Sequence, residues 1–237
     1  EARMNAAKER EEGREPGKTM VVSIMPCTAK KAEITRPEHF TDGEQNVDYV
    51  LTTTEITRMI QEAGIDLAQV QPEALDMPFG LSSGAGAIFG VTGGVTEAVL
   101  RRLINSSRAE DLEEISFSGI RGVDGIKEAK VNLNGREVKI AVVNGLHCAE
   151  DLLDKMKAGE VHYDFVEVMA CKRGCIAGGG QPVPIGPRTK KARLEGIYKI
   201  DSMAQIKLSN ENPIITEVYA GILKGKEHKL LHNEMNV

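Results

Sequence analysis

Two cysteines four positions apart give the strongest chemical signal in this sequence. Cys171 and Cys175 lie in the stretch EVMACKRGCIAGGGQP, residues 167–182. This spacing presents two thiolates on one side of a turn or helix, and thiolates favour zinc and iron–sulfur clusters. The alternative is a pair of small buried residues. The nearby glycines favour ligation, because glycine lets backbone N–H groups approach sulfur atoms: Gly174, Gly178, Gly179 and Gly180.

A third cysteine stands beside two lysines in MPCTAKKAE, residues 25–33. A cation favours the thiolate form of a nearby cysteine, and Lys30 or Lys31 could instead hold an anionic ligand by charge-assisted hydrogen bonds. The alternative is a solvated helix start with a lysine paired to Glu33. A nucleophilic cysteine is a further option, but the sequence positions no histidine partner beside it.

The fourth cysteine, Cys148, lies in NGLHCAEDLL on a predicted amphipathic helix, where we expect it to pack in the core. We expect its neighbour His147 to be a surface or cap residue. Four cysteines in 237 residues are too few for a disulfide scaffold, so reduced thiols in a cytoplasm are predicted. The glycine-rich stretch SGAGAIFGVTGG has Phe89 where a dinucleotide-binding motif needs its third glycine, which excludes that motif.

Composition excludes two classes of partner. The chain is 41% hydrophobic and 27% charged, which suits a globular core. Its formal net charge is −5, with no basic stripe typical of nucleic-acid binding. No apolar run approaches the roughly 18 residues of a membrane span. We therefore expect neither a nucleic-acid partner nor a membrane.

Alternating strands and helices must position the cysteines. Strands are predicted at 19–25, 47–52, 116–122 and 163–170, with a hairpin over 127–145 around Asn134-Gly135. Helices are predicted after a cap at Thr54, in the latter part of 82–106, near 148–158 and after Asn212-Pro213, with the remaining residues after 170 in loops. This alternation predicts an α/β fold with mostly parallel sheets flanked by helices. Such sheets bind ligands beyond the carboxyl ends of their strands, where Cys27 and Cys171 are expected.

The two cysteine segments together resemble signature segments of the catalytic H-cluster domain of iron-only, or [FeFe], hydrogenases. Three further stretches resemble that family in the same order: SSGAGAIFGVTGGVTEAVLR, SGIRGVDGIKEAKV and SNENPIITEVY. The resemblance covers roughly residues 18 to 232. It implies that the chain is part of the family's two-lobed catalytic domain.

The resemblance also implies a cofactor and its ligands. The family's H-cluster joins a [4Fe–4S] cubane, through a cysteine sulfur, to a two-iron unit carrying CO, CN⁻ and a dithiolate bridge. The residues matching the cubane ligands are Cys27, Cys171 and Cys175, with Cys175 as the bridging ligand.

Four other matches concern the two-iron unit. Lys30 matches a lysine that hydrogen-bonds a cyanide. Met25 and Met169 match methionines packed against the two-iron unit, and Phe89 matches an aromatic residue lining its pocket. These matches imply oxidoreductase activity that interconverts H₂ with protons and electrons.

Three departures from the family pattern shape the expectations. The motif T-S-C-x-P, which supplies the fourth cubane ligand, and the ferredoxin-like domains have no counterpart here, and Lys172 and Arg173 replace residues that are usually small. We therefore expect residues 1–237 to be the C-terminal portion of a large-subunit catalytic domain that is inactive alone. Its expected partners are an upstream segment or subunit with the first cysteine motif, and ferredoxin or another electron carrier. We expect a cytoplasmic protein of an anaerobe.

Two other interpretations stay open at this point. Cytosolic iron–sulfur assembly proteins share similar cysteine segments, so the chain could be a cluster carrier or scaffold. A structural zinc site could instead form from Cys27, Cys171 and Cys175, with Cys148 or water as the fourth ligand.

Overall fold

Short strands that lead directly into helices or turns organise the chain. The computed structural model describes residues 9, 12–14, 19–41, 43–77, 80–105, 125–133 and 135–231. The chain forms two units. The first contains the residues up to Val70 together with Gly178–Val183, and the second contains Gln71–Ala177 and the residues from Pro184 onward.

The first unit contains a parallel pair of strands, β1 (Val22–Met25) and β4 (Tyr49–Thr52), in which Met25 is paired with Thr52. Between them lie helix α1 (Ala29–Glu33) and a small antiparallel pair, β2 (Phe40–Thr41) and β3 (Glu44–Gln45). Helix α2 (Thr53–Glu62) follows β4 without a loop. Both strands of the parallel pair therefore end at the same edge, where α1 and α2 begin.

The second unit is organised around a three-stranded mixed sheet. Strands β5 (Ile126–Leu133) and β6 (Arg136–Asn144) form an antiparallel hairpin, and β6 pairs in parallel with β7 (Phe165–Met169). Five consecutive residues of β6, 140–144, are buried because both faces of this strand are covered. One face packs with Leu100, and the other packs with Ala149 and Leu152.

Helices and 3₁₀ turns complete the second unit. Its helices within the described residues are α3 (Gly84–Ala87), α4 (Gly94–Ile104), α5 (Leu146–Lys157), α6 (Pro187–Met203), α7 (Pro213–Ala220) and α8 (Glu227–Leu231). Single 3₁₀ turns lie at Ile88–Gly90, Cys175–Ala177 and Ser209–Glu211. Among the described residues, no helix is long and apolar enough to cross a membrane.

The predicted α/β class, with parallel strand pairs flanked by helices, is confirmed. Two local predictions were wrong. Helix α2 is capped by Thr52, not Thr54, because Thr52 and Glu55 form a reciprocal capping box. The region after 170 was predicted as loop up to Asn212, yet it contains the 17-residue helix α6. Asn134 and the strand predicted at 116–122 lie outside the described residues.

Candidate iron–sulfur site

Cys27 lies just past the carboxyl end of β1, as predicted. It is partly exposed, and the backbone before it is held by the glycine-rich segment of the same unit. The Gly180 N–H donates to the Pro26 carbonyl at 3.0 Å, and the Gly180 carbonyl accepts from the Thr54 N–H and hydroxyl, both at 2.9 Å. A β-carbon at Gly180 would lie 2.9 Å from the side chain of Thr52. This packing explains the need for glycine at position 180.

The two lysines after Cys27 have different partners. Lys30 Nζ donates to both carboxylate oxygens of Glu33, at 2.7 and 2.6 Å. This hydrogen bond lowers the pKa of Glu33, against the opposing effect of partial burial. Lys31 Nζ donates to the Val50 carbonyl at 2.8 Å and lies 2.9 Å from Glu55. Lys31 thus ties α1 to β4, whereas Lys30 pairs within its own helix.

Met25, the last residue of β1, is partly exposed and precedes Cys27 by two positions. In the second unit, Met169 ends β7 in the same way, and its carbonyl accepts the Gly145 N–H at 2.7 Å. Phe89 lies in the 3₁₀ turn Ile88–Gly90 and is 48% exposed. Both methionines therefore stand at the ends of strands that lead to predicted cysteine ligands.

Cys171 and Cys175 bracket a tight turn just beyond β7. Cys171 is exposed and Cys175 is partly exposed. The Gly174 N–H closes the turn by donating to the Cys171 carbonyl at 3.0 Å. Arg173 and Gly174 both have left-handed backbone conformations, with φ of 76° and 82°. The turn therefore places the two cysteines at the end of a buried sheet.

Three neighbouring elements fix this turn. Asn144 at the end of β6 accepts the Arg173 N–H at 2.6 Å. Arg193 of α6 donates to the Ile176 carbonyl at 3.0 Å. A β-carbon at Gly174 would lie 2.9 Å from the Thr92 nitrogen and 3.0 Å from the Gly90 carbonyl oxygen. The turn is therefore held by the sheet, by α6 and by the segment that follows Phe89.

This packing corrects one sequence-based argument. The N–H groups of Gly174 and Gly180 already donate to the carbonyls of Cys171 and Pro26, so these two glycines do not offer free donors to a cluster. Both positions require glycine because protein atoms lie close to them.

A buried carboxylate supports β7 and was missed by sequence reasoning. Glu167, 5% exposed, accepts the N–H groups of Gly93 and Thr96 and the Thr96 hydroxyl, all at 2.7 Å. It therefore caps helix α4 and connects that helix to the strand carrying Met169. Its signal in the sequence was a charged residue within an otherwise apolar strand.

The remaining cysteine has the structural role that was predicted. Cys148 packs against the core cluster that includes Ala149 and Leu152. His147 is at the surface, with 85% of its side chain exposed. All four cysteines lie in described segments, and none forms a disulfide. Within the described ranges, no three His, Cys, Asp or Glu side chains lie together as a set for one metal ion.

The chain belongs to the iron-only hydrogenase family. The family model for the C-terminal domain of the iron only hydrogenase large subunit matches residues 3–179, and that for the iron hydrogenase small subunit matches residues 187–234. The junction between the two matches lies in the segment that precedes α6. Both family models therefore match within this one chain.

Several curated hydrogenases are similar to most of this chain. Identity is 43% to the NADP-reducing hydrogenase subunit HndD of Solidesulfovibrio fructosivorans, over 91% of this chain. It is 40% to iron hydrogenase 1 of Clostridium pasteurianum, over 93%, and 45% to the periplasmic [Fe] hydrogenase large subunit of Nitratidesulfovibrio vulgaris, over 80%. The chain spans only 37%, 40% and 46% of the lengths of these three relatives.

Iron–sulfur assembly proteins are also similar to this chain. Cytosolic iron-sulfur assembly component 3 of Mus musculus is 32% identical over 92% of this chain, which spans 48% of that protein. Among solved structures, [FeFe]-hydrogenase HydA1 from Chlamydomonas reinhardtii, in an apo form, matches with a TM-score of 0.73 and 34% identity. That match covers 97% of this chain and 66% of the other. Two further matched structures are named for the hydrogenase H-cluster.

Proposed function

We propose that this chain is the C-terminal part of an [FeFe] hydrogenase catalytic domain, which interconverts H₂ with two protons and two electrons. The observation that carries the proposal is the difference in identity between two kinds of relative. Identity is 40–45% with three hydrogenases and 29–32% with five assembly proteins. The proposal is also supported by the position of the cysteines, because thiolate ligands of the type that iron–sulfur clusters use follow the ends of β1 and β7.

The donor set fits an iron–sulfur cubane. Cys27, Cys171 and Cys175 supply soft thiolates, the ligand type that such clusters require. Cys171 and Cys175 lie on a turn that is held by hydrogen bonds to Asn144 and from Arg193. We propose that these three cysteines would hold the cubane, and that Cys175 would also contact the two-iron unit.

The bound H-cluster would supply metal-centred cleavage and formation of H₂, and the protein would supply its surroundings. Met25, Met169 and Phe89 are proposed to pack against the two-iron unit and exclude water. Lys30 is proposed to donate a hydrogen bond to a cyanide. Lys30 already donates to Glu33, but an ammonium has three N–H groups, so a third donor is available for a cyanide.

The complete enzyme would need polypeptide beyond this sequence. A cubane has four ligands, and the family resemblance assigns three to this chain. We propose that an upstream segment or a second subunit supplies the fourth ligand, and that ferredoxin or another carrier exchanges electrons. The chain alone is expected to be inactive.

A cluster scaffold or carrier is the second candidate. It is favoured by the 32% identity to the mouse assembly protein over 92% of this chain. Such a protein would hold a cubane without the two-iron unit. In that case Met25, Met169 and Phe89 would have no CO or CN⁻ ligands to pack against.

The experiment that tests both candidates combines iron and zinc analysis with infrared spectroscopy. The chain is co-expressed with the hydrogenase maturation proteins and with the upstream part of the Clostridium pasteurianum enzyme, then purified anaerobically. Iron with CO and CN⁻ bands supports the hydrogenase, and iron without them supports the scaffold. Zinc without iron contradicts both. Cys175→Ser should abolish iron binding, whereas Cys148→Ala, in the core cluster, should not.

A further inference from the structure

Positive charge is concentrated in the segment that carries the second unit's candidate ligands. Residues 168–194 contain six lysines and arginines and no aspartate or glutamate, although the formal net charge of the chain is −5. A local concentration of one charge attracts partners of the opposite charge and orients them as they approach. The six cations are Lys172, Arg173, Arg188, Lys190, Lys191 and Arg193.

Two of these cations lie on the cysteine turn itself. Lys172 is exposed and directly follows Cys171, which is exposed too. Arg173 has a left-handed backbone conformation, with a φ of 76°, which favours glycine over every other residue. A charged side chain at a strained position beside a candidate ligand points to a function for that side chain.

Helix α6, in the same unit, brings further cations to this turn. Arg193 Nη1 donates to the Ile176 carbonyl at 3.0 Å, within the 3₁₀ turn that begins at the second cysteine. Lys190 precedes Arg193 by three positions, so it lies on the same side of the helix. Ile197 is on that side as well, and its side chain is 3.6 Å from a β-carbon built at Gly90. This side of α6 therefore faces the cysteine turn and the 3₁₀ turn before it.

Several of the cations are not neutralised by carboxylates of this chain. Within the described ranges, Lys172, Arg188 and Lys190 form no ion pair, and Lys191 lies 3.8 Å from Glu195 in a pair that is mostly exposed. The first turn of α6 contains no acidic residue, and the dipole of this 17-residue helix adds positive charge there. The surface beside the cysteine turn therefore keeps a positive charge that a partner can meet.

We propose that Lys172, Arg173, Lys190 and Arg193, here called the cationic rim, form the docking surface for the acidic face of an electron-carrier protein. The inference rests on the proposed function and names the surface at which electrons enter or leave. Electron-transfer complexes bury little area, so they depend on complementary charge for association rate and orientation. In H₂ production the reduced carrier loses one electron and the cluster gains it, with no bond made or broken. Two such transfers supply the two electrons of one H₂.

The test measures how ferredoxin, an acidic one-electron carrier, binds the matured complex of this chain with the upstream polypeptide. The variants are Lys172→Glu, Lys190→Glu and the control Lys199→Glu. Lys199 is exposed, lies on α6 roughly 13 Å beyond Lys190, and its substitution changes the net charge equally. The Kd is measured by isothermal titration calorimetry at low and high salt. H₂ production is measured with reduced ferredoxin and, separately, with reduced methyl viologen, a small electron donor that needs no docking surface.

Lys172→Glu and Lys190→Glu should each raise the Kd for ferredoxin about 10-fold at low salt, because repulsion replaces attraction. Lys199→Glu should change it less than about 2-fold, and the difference should shrink at high salt. Ferredoxin-driven H₂ production by Lys190→Glu should fall with binding, whereas its methyl viologen-driven rate should stay near that of the parent. If Lys190→Glu does not fold, Lys190→Gln replaces it, with an expected rise of about 3-fold.

Equal Kd values in Lys190→Glu and Lys199→Glu would overturn the inference, and the proposed function would stand as long as methyl viologen still drives H₂ production. Weaker association of Lys190→Glu with the upstream polypeptide, at an unchanged Kd for ferredoxin, would also overturn it, since the cationic rim would then be an internal interface. A parent that binds ferredoxin through these lysines but makes no H₂ with methyl viologen would support the docking surface and overturn the proposed function.

Discussion

The backbone of Thr92 lies so close to Gly174 that a β-carbon there would be 2.9 Å from the Thr92 nitrogen. The turn bearing Cys171 and Cys175 is therefore in direct backbone contact with the segment that begins at Phe89. A displacement of either segment must displace the other, because protein interiors are close-packed. This contact couples the position of the candidate ligands to that of the aromatic residue.

Gly174→Ala should destabilise the protein by about 3 kcal/mol, because strain at positive φ adds to a backbone clash. Gly159→Ala is a matched control. Gly159 has a φ of 74°, yet nothing lies within 4 Å of a β-carbon built there. It should cost only about 1 kcal/mol, from strain alone. Urea unfolding measures both values, and equal costs would show that the contact with Thr92 is not tight.

Arg173 is a non-glycine residue with a left-handed backbone conformation in the same turn, at a φ of 76°. Arg173→Gly and Arg173→Ala remove the same side-chain interactions, but only glycine relieves the backbone strain. The glycine variant should be more stable than the alanine variant by about 1 kcal/mol. Chemical denaturation of both variants tests this, and a more stable alanine variant would contradict the left-handed geometry.

Much of the fold could be predicted from local patterns. The apolar runs at 19–25 and 163–170 located the strands that deliver Cys27 and Cys171, and the alternating hairpin residues located β5 and β6. Helix α6 was missed because its apolar residues form only a weak stripe and its one fully buried residue is Asp201. Helices whose buried face is polar escape a search for apolar periodicity.

The candidate site could be predicted only in part, because the residues that support it are far apart in the sequence. The cysteines were found because thiol spacing is visible along the sequence. Asn144 holds the cysteine turn through Arg173, 29 positions away, and Glu167 holds β7 to α4 through Gly93, 74 positions away. Such contacts depend on strand register and helix packing.

Arg101→Met should be among the most damaging single substitutions in the second unit. Arg101 is 2% exposed. It donates two hydrogen bonds of 2.7 Å to the Asp201 carboxylate and one of 2.5 Å to Glu97. Burial alone would lower the pKa of Arg101, but these carboxylates raise it above its usual value, so the side chain is a cation. Its removal takes the cation away from two buried carboxylates, which should cost about 3–5 kcal/mol.

The control for this prediction is an ion pair at the surface. Arg58 and Glu62 lie 2.7 Å apart on α2, with side chains 77% and 61% exposed. Arg58→Met should change the free energy of unfolding by about 0.5 kcal/mol or less, because water screens the pair. A comparable loss in both variants, measured by urea unfolding, would show that the Arg101 cluster is not shielded from solvent.

Substitution of Lys31 should mainly lower protein stability, whereas substitution of Lys30 should mainly change the surroundings of the bound cofactor. Lys31→Met removes the hydrogen bond to Val50 and the pairing with Glu55, and should cost about 1 kcal/mol of stability. Lys30→Met removes only a partly exposed pair within α1 and should cost less than about 0.5 kcal/mol. In the matured protein, only Lys30→Met should shift the infrared CN⁻ bands. Shifts of equal size in both variants would contradict the assignment of Lys30.

Glu55 should give the first unit a pH-dependent stability. Hydrogen bonds from the Thr52 backbone, from Lys31 and from the Thr52 hydroxyl lower the pKa of Glu55 from 4.5 to about 2. Because the folded-state pKa is below the unfolded value, the contribution of Glu55 is fully present above pH 4.5. It is lost as the pH falls from 4.5 towards 2. The stability difference between the parent and Glu55→Gln should therefore be larger at pH 7 than at pH 3.

Gln61→Ala, an uncharged change on the same helix, should give a difference that does not vary with pH. Urea unfolding at both pH values measures these differences, and a parent–Glu55→Gln gap that stays constant would contradict the capping box and the Lys31 pairing together.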